Sequence, residues 1–467
     1  MIPIQTDSRL CLYEQIYQYI KREIIDGSLS QGERLPSTRL LSKQLKISRS
    51  TIELAYGQLK SEGYLESIPG SGYFICDIEG IHQEQPVEKG NVDDQIRKKS
   101  QEEFQIDFSL NGVEWSTFSM NAWRKASKLT LMEDLDRLLA SGDSNGEEKL
   151  RQSISDYLHR SRGVKCSRDQ IIIGAGNEYL LMLLSQILSG DKGDGNHIAM
   201  ENATYLQAYQ IFKNLDWKID AVEMDQFGMM PGLLRKTRAE IVYLMPSHQF
   251  PLGITMPLKR RQELLGWAKE DENRYIIEDD YDSEFRYVGR PIPSMQGLDP
   301  YEKVIYIGTF SKSIAPSIRI SYMVLPVKLM KLYQDTLSFY ASTVARMQQQ
   351  TLYHFITEGY FERHLNKMRG IYKSKRDCLL EELKKQSWID SVYGEEAGLH
   401  LRAQIDASIS ERELIARAKE HEVRVYGLSE YLISQREIES HPMLLFGYAG
   451  KTEAEIREGI QRLQKCF

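Results

Sequence analysis

Cysteine is scarce in this chain, and its cysteines form no recognisable pattern. They are five in number and scattered, with no CxxC pair and no Cys/His cluster: Cys11, Cys76, Cys166, Cys378 and Cys466. We therefore expect neither a disulfide framework nor a zinc site, and we predict no metal. This cysteine usage fits a reducing cytoplasm.

Long apolar runs are also missing. No stretch reaches the ~18 consecutive apolar residues of a membrane span, and no signal-peptide pattern is present. We therefore expect a cytoplasmic protein with no membrane partner. The net charge of −6 over 467 residues argues against a chain that coats nucleic acid throughout, although a small basic face would be hidden in that average. The length predicts two or three domains.

Residues 1–75 have the apolar spacing of three helices followed by a hairpin. The three predicted inward faces are Leu12, Ile16, Ile20 and Ile24, then Leu40, Leu41 and Leu45 after a candidate N-cap at Ser37, then Ile52, Ala55, Tyr56 and Leu59. Two short apolar runs then flank Pro69-Gly70-Ser71-Gly72, which predicts a β-wing. Three helices and a wing predict a winged helix-turn-helix domain.

The same segment holds a local excess of positive charge. Between Arg34 and Lys60 there are six basic residues and one acid, Glu53. In a helix-turn-helix the second helix presents its N-terminal residues to the major groove, here Arg49, Ser50 and Thr51. A helical docking domain with a solvated basic face is the alternative. Residues 76–105 follow as a polar, flexible linker, with a helix near Asp93 to Glu103 left open.

The stretch from Val304 to Arg319, VIYIGTFSKSIAPSIR, has a lysine just past a predicted buried strand. Lysine forms Schiff bases with carbonyl compounds when desolvation lowers its pKa. Around Lys312, the hydroxyls of Thr309 and Ser311 and the guanidinium of Arg319 suit a phosphate. A surface lysine in a polar loop is the competing interpretation.

A second predicted strand, RYIIEDDY, ends in acid at Asp279 and is followed by Tyr281. A carboxylate beside a pyridine nitrogen keeps that nitrogen protonated, which suits pyridoxal phosphate as an electron sink. A tyrosine two residues later in an extended chain lies on the same side and can reach the phenolic oxygen. Further upstream, a strand leads through Gly174-Ala175-Gly176 into a helix, a turn that can bind an anion through backbone N–H groups.

These motifs, in this order, resemble the MocR/GabR-type regulators, in which a GntR-type winged helix is fused to a fold-type-I aminotransferase-like domain. The resemblance covers nearly the whole chain. It implies an N-terminal winged helix-turn-helix (α+β) joined to an α/β domain with a mixed, mostly parallel sheet, residues 106–467, and a small C-terminal α/β subdomain from about residue 340. It also implies double-stranded operator DNA and a head-to-tail homodimer as partners.

The resemblance assigns roles to individual residues. The expected DNA contacts are Arg34, Ser37, Arg39, Arg49, Ser50 and Thr51, with Gly70 and Gly72 shaping the wing. The expected ligands of pyridoxal 5'-phosphate are Lys312, Asp279, Tyr281, the stacking Tyr205, and a phosphate cup of Gly176, Asn177, Glu178, Thr309, Ser311 and Arg319. Aminotransferases also carry an asparagine near the ring oxygen, for which His248 or Gln249 is the nearest polar substitute here.

Three departures from the family pattern bear on the ligand. Leu445 stands where many relatives have a carboxylate-binding arginine, and Gln207 stands where GABA-sensing members have another. Ser141 replaces a tyrosine that reaches the partner subunit. These changes disfavour GABA and dicarboxylates and favour a small amino acid or amine.

The sequence predicts a transcription regulator that senses an amino acid or amine by external aldimine formation at Lys312. One alternative is a working aminotransferase with a DNA-binding appendage. Another is a binding protein that keeps the cofactor only as structure. A helix from Met347 to Met368, kinked at Gly359, is also expected.

Overall fold

The computed structural model describes residues 2–4, 10–77, 104–190, 195–289, 292–406, 409–434 and 442–467. The chain divides into two compact units, Met1–Glu102 and Glu103–Phe467. The linker predicted for residues 76–105 lies almost entirely outside the described residues. The helix considered near Asp93 to Glu103 lies wholly outside them, so both remain predictions.

The first unit has three helices and an antiparallel hairpin. Its elements are α1 (Leu12–Ile25), α2 (Thr38–Leu45), α3 (Arg49–Ser61), β1 (Leu65–Ile68) and β2 (Gly72–Ile75). The side chains of Ser37 and Ser48 cap α2 and α3 by accepting from the backbone N–H of Leu40 and Thr51, each at 3.2 Å. The predicted N-cap at Ser37 and the predicted wing are therefore confirmed.

The core of this unit confirms most of the predicted inward faces. Ile16, Ile20 and Ile24 of α1 pack against Ile52, Ala55, Tyr56 and Leu59 of α3. Two predicted core residues are exposed instead, Leu12 at 36% and Leu40 at 50%. Leu12 is the first residue of α1, where no further turn covers it. Leu40 is one residue before the buried Leu41, and the rotation of ~100° between neighbouring residues of an α-helix turns Leu40 toward solvent here.

The second unit is an α/β structure. It contains β3 (Ile106–Asp107), α4 (Met120–Leu131), α5 (Leu135–Leu139), α6 (Glu148–Arg162), β4 (Ile171–Gly174), α7 (Asn177–Leu188), β5 (His197–Glu201), α8 (Leu206–Asn214), β6 (Lys218–Val222), β7 (Met224–Asp225), β8 (Gly228–Met229), α9 (Pro231–Leu234), β9 (Ile241–Leu244), α10 (Leu258–Lys269), β10 (Tyr275–Asp280), α11 (Met295–Leu298), β11 (Val304–Thr309), β12 (Ser321–Val324) and α12 (Val327–Thr336). It continues with α13 (Arg346–Thr357), α14 (Tyr360–Lys384), β13 (Ile389–Tyr393), β14 (His400–Ile405), α15 (Glu411–Glu420), β15 (Val423–Arg424), β16 (Tyr426–Gly427), β17 (Met443–Gly447) and α16 (Glu453–Leu463).

A seven-stranded mixed sheet organises this unit, in the order β4-β12-β11-β10-β9-β5-β6. Strand β12 runs antiparallel to both of its neighbours, and the other pairs are parallel. Every residue of β4, β9, β10, β11 and β12 is buried, as expected for a sheet covered on both faces. The mixed, mostly parallel sheet is thus confirmed.

The topology brings the predicted site residues to one edge of the sheet. Parallel strands β4, β10 and β11 all end there, and the antiparallel β12 begins there. Loops after strand ends of such a sheet are where ligands bind. The turn before α7, the end of β10 and the loop from β11 to β12 therefore converge.

The C-terminal part forms a smaller antiparallel sheet in the order β13-β14-β17-β16, packed with α14, α15 and α16. The continuous helix predicted across Gly359 is wrong. The chain forms two helices, α13 and α14, because Gly359 adopts a left-handed conformation with φ of 71° between them. That conformation ends a helix and does not bend one.

Candidate functional site

A cavity of about 290 Å³ opens at the edge of the sheet where these loops meet. Its lining includes nine of the ten predicted cofactor ligands: Asn177, Glu178, Tyr205, Asp279, Tyr281, Thr309, Ser311, Lys312 and Arg319. The tenth, Gly176, lies at the start of α7 beside Arg319. Residues from position 176 to position 319 are thus brought together in one space.

Lys312 reaches into this cavity from the loop after β11. Its Nζ donates to the carbonyl oxygen of Leu110 and to Oδ1 of Asn111, each at 3.2 Å. Removal of solvent lowers the pKa of Lys312 from its ordinary value to about 8. A substantial fraction of this amine is therefore uncharged near neutral pH, which a nucleophilic lysine requires.

Asp279 also lines the cavity, near the end of β10. Its Oδ2 accepts from the hydroxyl of Tyr243 at 2.5 Å, and its Oδ1 accepts from Nδ2 of Asn177 at 3.2 Å. Burial raises the pKa of this carboxyl to about 7. A cationic ring nitrogen beside it would offset that burial, so the residue fits the role of a pyridinium partner.

The third part of the cavity is suited to an anion. The first turn of α7 offers backbone N–H groups, and Arg319 extends its guanidinium toward them. Ser311 Oγ is buried and, among the described residues, has no hydrogen-bond partner. A side chain at Gly176, where φ is 94°, would place Cβ 2.2 Å from Arg319 Nη2. An orphaned hydroxyl and a cradle kept open by glycine fit a phosphate.

Aromatic and amide side chains close the cavity. Tyr205 precedes α8, lines the cavity, and donates from its hydroxyl to Glu178 Oε1 at 3.4 Å. Phe250 packs against it edge to face, with the ring centroids 6.2 Å apart. Gln249 lies outside the lining because its amide is bound to the backbone of Ala203, Phe250 and Leu252.

Tyr281 follows β10 and lines the cavity beside Lys312. Its hydroxyl oxygen lies 3.0 Å from Nδ1 of His248, and that nitrogen lies 2.9 Å from Oδ2 of Asp282. Burial, with the nearby Asp282 and Asp279, raises the pKa of Tyr281 well above its ordinary value, so the hydroxyl keeps its proton. His248 therefore contacts the site through Tyr281 and not directly.

Two residues of this site, Tyr243 and Asn111, were not predicted from the sequence. Tyr243 lies on β9, directly opposite Ile277 of β10 in a parallel pair, so its side chain shares a face with Asp279. Asn111 comes from a loop after β3 and reaches Lys312 across 201 residues of chain. Strand order and long-range contacts of this kind have no local signal in one sequence.

The three residues that depart from the family pattern, Gln207, Leu445 and Ser141, lie in different parts of the structure. Gln207 lines the cavity. Leu445 is fully buried in β17, packed in the same hydrophobic cluster as Phe250, and Ser141 is exposed. An open depression beside the cavity shares Glu178 and Gln207 with it and is completed by Leu206, Gln210, Ile211, Tyr426, Glu430 and Tyr431.

In the first unit, the predicted DNA contacts lie on the surface. Arg34, Ser37, Arg39, Arg49, Ser50 and Gly70 are exposed, and Thr51 and Gly72 are partly exposed. Nε of Arg49 donates to Glu53 one turn later at 2.7 Å. Leu54, which the sequence analysis did not select, is 62% exposed on the same helix. The signal was available, because Leu54 does not share the inward spacing of Ile52, Ala55 and Leu59.

Among the residues that the structure describes, no group of three or more His, Cys, Asp or Glu side chains is placed to hold a metal ion. The helices within those ranges also lack the combination of length and apolarity that a membrane span requires.

Comparison with known proteins gives two family matches. Residues 12–75 match the bacterial regulatory proteins of the gntR family, and residues 105–463 match the class I and II aminotransferases. The chain is 40% identical to the HTH-type transcriptional regulator YdeL of Bacillus subtilis over 460 residues, 98% of this chain and 96% of that one. It is 30% identical to a probable rhizopine catabolism regulatory protein, MocR, of Rhizobium meliloti, over 100% of this chain and 96% of that one.

This chain is a MocR-type transcriptional regulator. The regulator is also 30% identical to the pyridoxine biosynthesis regulator PdxR of Corynebacterium glutamicum, over 79% of this chain and 78% of that one. Its regulator homologues favour transcriptional control over a working aminotransferase with a DNA-binding appendage.

Solved structures agree with the second family match. A multiple substrate aminotransferase from Thermococcus profundus is 26% identical and covers 79% of the regulator and 92% of its own chain, with a TM-score of 0.69. A kynurenine aminotransferase from Pyrococcus horikoshii, described in complex with PMP, is 26% identical, with a TM-score of 0.67 over 77% and 90% of the two chains. The aminotransferase fold implies the use of pyridoxal phosphate.

Proposed function

We propose that this regulator senses a small amino acid or amine at a pyridoxal phosphate bound to Lys312, and that this binding alters its affinity for operator DNA. The observation that carries the proposal is the position of Lys312. Its amine lies in a cavity that is also lined by the carboxylate of Asp279, the hydroxyl of Ser311 and the guanidinium of Arg319, and its pKa is lowered to about 8.

In this proposal each part of the cofactor has a partner. Lys312 binds the aldehyde carbon, Asp279 faces the ring nitrogen, Tyr281 faces the phenolic oxygen and Tyr205 lies against the ring. The phosphate is held by the turn at Gly176, Asn177 and Glu178 and by the side chains of Thr309, Ser311 and Arg319. When bound, the cofactor supplies an electrophilic carbon that exchanges one amine for another and an electron-withdrawing ring.

The proposed effector class follows from the charges around the cavity. Among the described lining residues, the cations Lys312 and Arg319 both have roles toward the cofactor. The depression beside it is lined by two glutamates, two glutamines and two tyrosines, with no described basic residue. A second carboxylate on the ligand would find no cation among the described residues of this depression, which supports a small amino acid or amine over GABA or a dicarboxylate.

The proposed DNA surface is the basic face of the first unit. Arg49, Ser50 and Thr51 at the start of α3 enter the major groove, supported by Arg34, Ser37 and Arg39, and the wing turn at Gly70 and Gly72 lies along the backbone. The exposed Leu54 is placed for apolar contact with a thymine methyl group. A head-to-tail homodimer would present two such surfaces to one operator, spaced by the linker.

Transamination is the second candidate function. A lysine whose pKa is near 8 can take up a proton once an incoming amine has replaced it on the cofactor. The same site could therefore turn over its ligand, and a fold alone does not decide between sensing and turnover.

The test is a titration of the purified full chain, loaded with pyridoxal phosphate, against a panel of amino acids and amines. Visible absorbance and operator binding by gel shift are followed in the same samples. We expect one compound to shift the spectrum stably and to change operator affinity. Release of a keto acid over many turnovers would favour the enzyme instead. No visible band after addition of pyridoxal phosphate would overturn the cofactor proposal.

A further inference from the structure

A buried group of polar side chains stands behind Tyr281 and is not explained by cofactor binding alone. His248 is 2% exposed, Asp282 is 1% exposed and His400 is 3% exposed. The rings of His248 and His400 are 5.2 Å apart. Burial of three ionisable side chains together is costly unless their hydrogen bonds are satisfied in a defined arrangement.

The space around His248 is fitted closely to its ring. A Cβ atom at Gly398 would lie 1.9 Å from Cε1 of His248, and one at Gly253 would lie 3.3 Å from its Nε2. The ring is therefore held in one orientation by backbone that approaches it directly. Its Nδ1 edge points at Tyr281 and Asp282, and its Nε2 has no partner among the described residues.

The partners of His248 define where its proton lies. A carboxylate accepts hydrogen bonds, so Asp282 Oδ2, at 2.9 Å, places the proton on Nδ1. His400 is neutral because burial lowers its pKa to about 3, and its Nε2 donates to the carbonyl oxygen of Pro251 at 2.8 Å.

A proton on Nδ1 determines the direction of the Tyr281 hydroxyl. The single Nδ1–H lies between Asp282 Oδ2 at 2.9 Å and the Tyr281 oxygen at 3.0 Å, so the two oxygens share it. With its oxygen accepting from Nδ1, Tyr281 can turn its hydroxyl hydrogen toward the cavity that it lines. The carboxylate of Asp282, which also interacts with this hydroxyl, is the competing acceptor for that hydrogen.

We propose that His248 is a positioning residue, which Asp282 holds with its proton on Nδ1 and which thereby turns the Tyr281 hydroxyl hydrogen toward the phenolic oxygen of the cofactor. This inference rests on the proposed function. It also assigns different roles to the two polar residues His248 and Gln249 of segment 246–253. Gln249 holds the loop through three backbone contacts, and His248 acts on the site through Tyr281.

The prediction concerns the protonation of the lysine-bound cofactor. A donor to the phenolic oxygen stabilises its ionised form, so loss of that donor raises the pH at which the visible band titrates. Other charged groups also face this cluster: Asp279, Asp280 and Asp282 at the end of β10, Lys312 from the next loop, and His400 and Arg402 on β14. The variants must therefore leave those groups in place.

The experiment is a pH titration of the visible band in the full-length holoprotein, with matched substitutions at one position. His248→Asn retains an amide near the place of Nδ1, His248→Gln moves it toward Nε2, and His248→Phe retains only the ring. We expect His248→Asn to titrate like the unsubstituted protein. The other two should titrate about one pH unit higher.

A double-mutant cycle distinguishes positioning from a general structural effect. In a Tyr281→Phe background, His248→Phe should produce no further shift of the midpoint. Equal shifts for His248→Asn and His248→Phe, or a full shift in the Tyr281→Phe background, would overturn the proposal. Should His248→Phe fail to fold, the His248→Gln titration decides by the same criterion. Absence of any visible band in the unsubstituted protein would instead overturn the proposed function.

Discussion

Arg319 Nη2 lies 2.5 Å from Glu178 Oε2, so the guanidinium expected to bind a phosphate is paired with a carboxylate inside the same cavity. Arg319 itself has a left-handed backbone conformation, with φ of 49°, which aims its side chain back toward α7. The pair keeps a cation in place while no phosphate is bound. A phosphate must then share or displace that partner.

Glu178→Gln should therefore raise the affinity for pyridoxal phosphate by about two- to fivefold, the range expected for a partly exposed ion pair. The substitution removes the competing charge and keeps the shape. Pyridoxal, which lacks the phosphate, is the matched control ligand, and its affinity should not change. Equilibrium titration followed by absorbance gives both constants, and equal changes for the two ligands would show that the pair does not compete with phosphate.

The rate at which the apoprotein takes up pyridoxal phosphate should rise with pH through about 8. The reason is that only the neutral amine attacks the aldehyde, and Lys312 loses its proton in that range because desolvation lowers its pKa. A solvent-exposed lysine would require pH near 10.5. Stopped-flow absorbance measures the rate, with Lys312→Ala as the control that should show no such phase. A rate that keeps rising to pH 10 would contradict the assignment.

Asp279→Asn should make the apoprotein relatively more stable at pH 8 than at pH 4. The folded pKa of Asp279 is raised to about 7 from 3.8, so protonation favours the folded state and that contribution is lost as the pH rises through 7. The effect is a few kcal/mol at most, since one pKa unit corresponds to about 1.4 kcal/mol. Urea unfolding of both proteins at the two pH values tests it. The holoprotein should show the opposite preference, because the ring nitrogen needs the carboxylate.

Arg49→Ala should weaken operator binding and leave cofactor absorbance intact. Loss of one phosphate contact should also reduce the slope of log affinity against log salt by about one. Lys213→Ala makes the same change of charge on the surface of the other unit and serves as the control. Unchanged operator affinity in a gel-shift titration at two salt concentrations would show that Arg49 does not contact the operator.

Gln207→Arg should broaden the ligand range toward molecules with a second carboxylate. The side chain lines the cavity at the boundary with the depression that contains Glu430, where no described residue supplies a cation. A charge-assisted hydrogen bond there should improve binding of such ligands by about tenfold. Gln207→Met, of similar length without charge, is the control. The spectral titration with a dicarboxylic amino acid measures the change.

Local patterns predicted those parts of the molecule that depend on local rules. Helical spacing located α1 and α3, a serine before an apolar run located the N-cap of α2, and a Gly-rich turn located the wing. Buried apolar runs located β4, β10 and β11, and the motifs that follow these three strands lie at the cavity. The order of the motifs was sufficient because parallel strands end at one edge of a sheet.

Other features depend on contacts that a single sequence does not record. The donation from Tyr243 to Asp279 requires that β9 and β10 be neighbours, and the contact of Asn111 with Lys312 requires two distant loops to meet. Whether His248 or Gln249 acts on the site depends on which side chain is free of the backbone. The Gln249 amide is hydrogen-bonded to the backbone, and a single sequence does not record such a contact. The break at Gly359 depends on a backbone conformation that glycine permits but does not dictate.

The antiparallel strand β12 has one further consequence. Thr309 and Ser321 face each other across the β11–β12 pair, with Ser321 Oγ donating to Thr309 Oγ1 at 2.8 Å, and Phe310 N–H donates to the carbonyl oxygen of Ile320 at 3.0 Å. Residues 310–320 thus form a loop tied at its base. An insertion or deletion there has no free end to absorb it and would displace Lys312 relative to Arg319. The number of residues between them therefore determines the geometry of the site together with the two side chains themselves.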